Sequence, residues 1–223
     1  MKLRNVNWKS AFLASALLAA SSVPAAAAIV YQQPFDGTGN FFSSQNDTNV
    51  YGNFSTTYDN FTLAATTYIF QVDWTGAYFF PATQAPIAGF TIDFWADNSG
   101  SPGTLLSTQY ITGTANETSL GTFGPGFYPF FTYSAAVTPF AAAAGTQYWL
   151  SIVPDLGFPP EWGWATGTGG DGAAYQVFDG IGAPIRSDLA FALETPEPFS
   201  FSLAGIGLGL VGLASWKRRK QSA

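Results

Sequence analysis

Four stretches of this chain alternate apolar and polar residues with a period of two, and that alternation restricts the fold more than any other feature. In GFTIDFWAD, Phe90, Ile92 and Phe94 fall on one side, and Thr91, Asp93 and Trp95 on the other. TTYIFQVDWTGAYFF sets Tyr68, Phe70, Val72 and Trp74 on one side; TQYWLSIV alternates Tyr148, Leu150 and Ile152; DLAFAL alternates Leu189, Phe191 and Leu193. Each pattern predicts a half-buried antiparallel strand, because successive side chains of a strand point to opposite faces. The turn-forming stretches ADNSGSPG, GTFGPG and ATGTGGDG stand where those strands must end. Only AAVTPFAAAAG resembles helix, and Pro139 limits it to about one turn. No internal repeat is visible, which argues against a propeller or solenoid. The expected fold is an all-β, antiparallel β-sandwich of jelly-roll-like character spanning 29–193.

Composition narrows the chemistry. The chain has no cysteine and no histidine, so disulfides, zinc clusters, cysteine nucleophiles and Ser-His-Asp triads are excluded. Between Ile29 and Glu194 there are thirteen acidic residues against Arg186 alone, a balance of −12. Such a domain repels nucleic acid and anionic headgroups. Its acidity reads either as a solvating shell or as calcium sites. Asp97, Asn98 and Ser99 in ADNSGSPG, or Asp171 in GTGGDG, would supply the oxygens that calcium prefers. Neither stretch has EF-hand spacing, and an Asx-type turn accounts for both without a metal. No other cofactor is implied.

Glycoside hydrolysis needs two carboxylates about 5 to 10 Å apart. Asp93 with Asp97, or Glu161 with Asp171, are the pairs to inspect, against a simpler reading as turn formers and surface charge. Sugar binding needs less: an exposed aromatic face flanked by polar groups. Trp162 and Trp164 lie two apart, hence on one side of an extended chain, and Trp95 lies opposite Phe90, Ile92 and Phe94. The alternative is that these indoles fill the core or cover an edge. Four Asn-x-Ser/Thr triplets, at Asn46, Asn53, Asn60 and Asn116, are too common in polar β proteins to carry weight.

The two ends read as targeting. MKLRNVNWKS is basic, AFLASALLAA is apolar, and SSVPAAAA supplies small residues, so residues 1–28 have the three parts of a secretory signal peptide, cleaved between Ala26 and Ile29. Phe199 to Trp216 is eighteen residues without charge. As a helix it would rise about 27 Å, close to a bilayer core. Gly205 and Gly209 form a GxxxG pair, Trp216 falls at the interface, and Lys217, Arg218, Arg219 and Lys220 would hold the end in the cytoplasm. An ordinary stop-transfer anchor is one reading of this segment.

The order of its parts, Pro196-Glu197-Pro198, then an apolar span, then a basic tail, resembles the PEP-CTERM sorting signal over about 28 residues. The resemblance implies that an exosortase, an integral membrane protease, recognises the Pro-Glu-Pro motif and cleaves near it. It also implies a Gram-negative host that makes exopolysaccharide. The stretches YDNFTL, VDWTGAYF, FTIDFWADNSGSPGTLL, GTQYWLSIV and SDLAFAL look like the β-sandwich ectodomain that often precedes such signals. That likeness carries no catalytic residues. The chain is therefore expected to divide into a signal peptide (1–28), an extracytoplasmic domain (29–193) and a sorting segment (194–223). Its expected role is structural or adhesive, with a carbohydrate-binding module as the alternative and a glycan-active enzyme as the weaker one.

Overall fold

A computed structural model describes residues 27–196. Of the expected signal peptide only Ala27 and Ala28 are described, at the start of the first strand; its residues 1–26, and Glu197, Pro198, the 199–216 span and the basic tail, lie outside the described residues. Among those described, no helix is long and apolar enough to cross a membrane. Residues Ile29–Thr195 form one compact unit.

The described chain is all strand and turn. In order the strands are β1 (Ala27–Gln33), β2 (Phe41–Ser43), β3 (Gln45–Asp47), β4 (Gly52–Thr62), β5 (Thr67–Phe79), β6 (Gly89–Asp97), β7 (Pro102–Thr112) and β8 (Thr118–Phe123). They continue as β9 (Tyr128–Ala142), β10 (Gln147–Leu156), β11 (Glu161–Gly167), β12 (Ala174–Phe178), β13 (Ile181–Ile185), β14 (Asp188–Leu189) and β15 (Phe191–Pro196). They build two sheets, giving a β-sandwich-like architecture. One sheet of eight strands is centred on β5, which pairs with β9 along one edge and with β15 and β11 along the other. The second, of seven strands, runs β13-β12-β4-β3-β10-β6-β7, with β4 also pairing β10. Antiparallel pairing dominates, but β10 meets β3 in parallel at Asp155–Asn46 and Leu156–Asp47.

The alternation seen in the sequence sets the inner faces. Phe90, Ile92 and Phe94 are buried, as are Leu189, Phe191 and Leu193. The two sheets meet through aromatic contacts such as the parallel stack of Phe94 on Phe140, 4.3 Å between centroids, and Trp74 edge-on to Phe90 at 5.0 Å. Asp97–Gly100 and Gly124–Phe127 turn where expected.

Two expectations fail locally. Ala135 to Ala142 of AAVTPFAAAAG are strand, the second half of β9, because they pair with β5 and bury Ala135, Val137 and Phe140. Within β5 the predicted face breaks: Val72 and Trp74 are buried, but Tyr68 and Phe70 are exposed and Ile69 is inside. The cause lies on β9. Ile69 faces Phe140 while Gln71 faces Ala136, so three residues including Pro139 stand against Phe70 alone. Proline has no N–H for the ladder, and the resulting bulge shifts the side-chain parity of the pair.

Candidate ligand-binding face

The three tryptophans singled out by sequence separate sharply. Trp162 and Trp164 lie on one side of β11, as their spacing required, but that side is the core and both are fully buried. Trp162 Nε1 donates to the Tyr133 hydroxyl at 3.1 Å and Trp164 Nε1 to the Ala190 carbonyl at 3.0 Å. A sugar ring can stack only on an exposed face, so these two indoles are core residues and not a binding platform.

Trp95 differs. It projects from β6 on the outer face of the seven-stranded sheet and is half-buried. The register brings neighbours to it from strands distant in sequence. Ser151 on β10 lies opposite both Asp93 on β6 and Tyr58 on β4, and Tyr58 lies opposite Tyr175 on β12. Trp95 leans over this row: its Nε1 donates to Ser151 Oγ at 3.0 Å, and its ring meets Tyr58 edge-to-face at 5.7 Å. Tyr58 in turn meets Tyr175 at 6.4 Å. The three half-exposed rings form a continuous aromatic line across the sheet. Beside it, burial raises the Asp93 carboxyl above its usual range, and Asp93 Oδ1 has no hydrogen-bond partner. Trp149, on the same face, is buried beneath its neighbours and donates to Asp97 Oδ1 at 2.8 Å. Tyr58, Tyr175 and Ser151 were not recognisable as site residues in sequence, because no local pattern joins β4, β10 and β12. The alternation of Tyr58 with Asn60 was the one available hint.

The candidate calcium carboxylates, Asp97 and Asp171, are engaged by the protein itself. Asp97 Oδ1 accepts from Gly100 N at 3.1 Å, from Gln147 Nε2 and from Trp149; Asn98 N donates to the Ser101 carbonyl at 2.8 Å. Asp171 accepts from Ala173 N at 3.0 Å and from Asn60 Nδ2. Both stretches are Asx-type turns. Among the described residues no three or more acidic side chains converge.

The carboxylate pairs of the hydrolase reading are kept apart. Asp93 and Asp97 sit four residues apart on β6 with Trp95 between them, about 13 Å of strand. Glu161 opens β11, whereas Asp171 lies in the turn beyond its last residue, Gly167, with about 20 Å of strand between. The structure instead brings together Asp73 and Glu194, diagonal neighbours across the β5–β15 pair, bridged by Gln71 Nε2 at 3.1 and 3.0 Å. Burial, with a hydrogen bond to Asp73 and its charge, pushes the Glu194 carboxyl up to about 7. Asp73 lines a groove of about 490 Å³ of mixed polarity, with Gln71, Thr75 and Thr132 on one hand and Phe35 and Phe191 on the other. The two carboxyls are too close for the water or sugar carbon that a glycosidase pair must hold between them.

Pro196 closes β15 and is half-buried. No known protein-family model matches the chain, and no curated protein matches its sequence.

Proposed function

We propose that this is an exported protein, sorted by its C-terminal segment to the surface or extracellular matrix of a Gram-negative cell, with a structural or adhesive role beside exopolysaccharide and no catalysis of its own. The observation that carries the reading is the order of parts at the C-terminal end of the sequence: Pro196-Glu197-Pro198, eighteen residues without charge, then Lys217 to Lys220. Proline suits a recognition motif because it holds the chain extended and offers no N–H to a helix or a ladder. An exosortase is the partner this order calls for, and the membrane holds the precursor by the 199–216 helix until cleavage. The body is read as a jelly-roll-like sandwich on the outer side, where thirteen carboxylates against one arginine keep it soluble. Replacing Pro196 and Pro198 together by alanine is expected to leave the precursor uncut and membrane-bound, seen as loss of the released form on fractionation. Unchanged release would reject the sorting reading.

A second reading, glycan binding, is favoured by the line of Tyr175, Tyr58 and Trp95 beside Asp93. The rings offer stacking surface, and hydroxyl and carboxyl groups stand next to them. Because the face carries acid and no base, its ligand would be a neutral or amino-bearing polysaccharide. Trp95→Ala is expected to weaken binding on a glycan array by about tenfold or more. An array on which the intact protein binds nothing would leave the scaffold role alone.

A further inference from the structure

One end of the sandwich carries apolar side chains that the core does not use. Val50 and Tyr51 in the β3–β4 turn, Phe80 after β5, Phe158 after β10, and Phe178 with Ile181 at the β12–β13 hairpin all gather there. Val50 is 81% exposed, Ile181 74% and Phe80 68%. The rings are linked: Phe158 stacks on Phe80 at 6.0 Å, meets Tyr51 at 5.7 Å and Phe54 at 6.3 Å, and Phe54 reaches Phe178 at 5.8 Å. The loops beneath are fixed by Asp47, which accepts from the N–H groups of Asn49, Val50, Tyr51 and Phe158. Exposed apolar clusters of this kind mark interaction surfaces.

We infer that this tip is a homotypic contact, seating the same tip of a second copy. Two observations select that occupant. The sole basic residue among those described, Arg186, follows the far end of β13, and the exposed charge at the tip is Asp179; elsewhere the acidic surface of one copy repels another. The apolar tip is thus where two such domains can touch with least like-charge cost, and a patch pairing with itself closes as a two-fold dimer. The chain also leaves from the opposite end. Glu194 pairs with Gln71, and the Thr195 and Thr67 hydroxyls lie 3.5 Å apart, whereas Phe80 follows the other end of the 13-residue β5, about 40 Å away. Copies held by their C-terminal segments present their tips outward, so that tips of copies on facing surfaces meet. The orientation argument rests on the sorting reading; the charge argument does not.

The test is sedimentation of the chain in its host-processed form, held in lipid nanodiscs if the tail persists. A concentration-dependent dimer is expected. Val50→Asp with Ile181→Asp, both at solvent-facing positions, should raise its dissociation constant by about 100-fold or more while near-ultraviolet circular dichroism stays unchanged. Tyr68→Asp, exposed at the opposite end of β5, should leave it unaltered. Three results overturn the inference: a monomer at every concentration reached, a dimer indifferent to the two tip charges, or wild-type binding to phosphatidylcholine vesicles that the tip charges abolish while the protein stays monomeric. None of them depends on whether the tail is cleaved, so the sorting reading stands or falls separately.

Discussion

Trp162→Ala is expected to lower the unfolding free energy by about 3–5 kcal/mol, the range for deleting a fully buried aromatic side chain. The indole is locked on several sides. It contacts Phe90 of the opposite sheet and Tyr133 edge-on, with centroids 5.9 Å away in each case. It also lies against Gly76, where an added Cβ would come within 2.1 Å of the ring. Its N–H supports a polar chain: the Tyr133 and Tyr78 hydroxyls both donate to Glu117 Oε1, at 2.8 and 2.6 Å, and Gln84 donates to the other oxygen. Removing the indole leaves a cavity and takes one donor from Tyr133. Urea unfolding measures the effect. A loss under about 1 kcal/mol would mean that the indole is not in the core.

The second large effect is on pH. Asp59 is fully buried between the sheets; burial raises its carboxyl well above the usual range, the nearby Asp188 and Asp171 add to the rise, and bonds from the Leu189 and Asn60 N–H groups oppose it. Burial also raises Asp93 and Glu161, and Glu194 is brought to about 7. A carboxyl with a raised folded-state pKa keeps a proton that the unfolded chain has already lost. Its stabilisation is therefore full below the unfolded value, near 4, and disappears as pH climbs through the folded value. Asp47 has the opposite sign. Its burial is outweighed by four backbone N–H groups that hold it well below the carboxylate range, so its contribution is lost as pH falls below about 4. Stability should therefore peak in mild acid, near pH 4 to 5, with a melting temperature several degrees higher at pH 5 than at pH 8. Weaker repulsion among the thirteen carboxylates acts in the same direction. A melting temperature that falls steadily from pH 8 to pH 5 would contradict this assignment of buried acids. Glu194→Gln should flatten the part of the curve between pH 5 and 7.

What could be read from sequence was whatever depends on period and turn chemistry. The faces of Phe90, Ile92 and Phe94, and of Leu189, Phe191 and Leu193, follow from alternation, as does the turn at Asp97 to Gly100. Burial of both faces of a central strand is not local information. The spacing of Trp162 and Trp164 put them on one side, but only the position of β11, with β5 on one edge and β2 and β14 on the other, makes that side the core. The Tyr68–Phe70 error has the same origin, since the bulge depends on Pro139 in a strand seventy residues later. The aromatic line on the outer face joins β4, β6, β10 and β12, and the Asp73–Glu194 pair joins β5 and β15. Neither leaves a mark within any one segment.

The central claim is that the last thirty or so residues are a processing signal attached to an acidic all-β body. Intact-mass and terminal-peptide measurement of the protein from its own host tests this most directly. The account predicts a chain that starts between Ala27 and Ile29, ends close to Pro196-Glu197-Pro198 and lacks Lys217 to Ala223. A mature chain still carrying that basic tail would contradict it and leave a plain membrane anchor in its place.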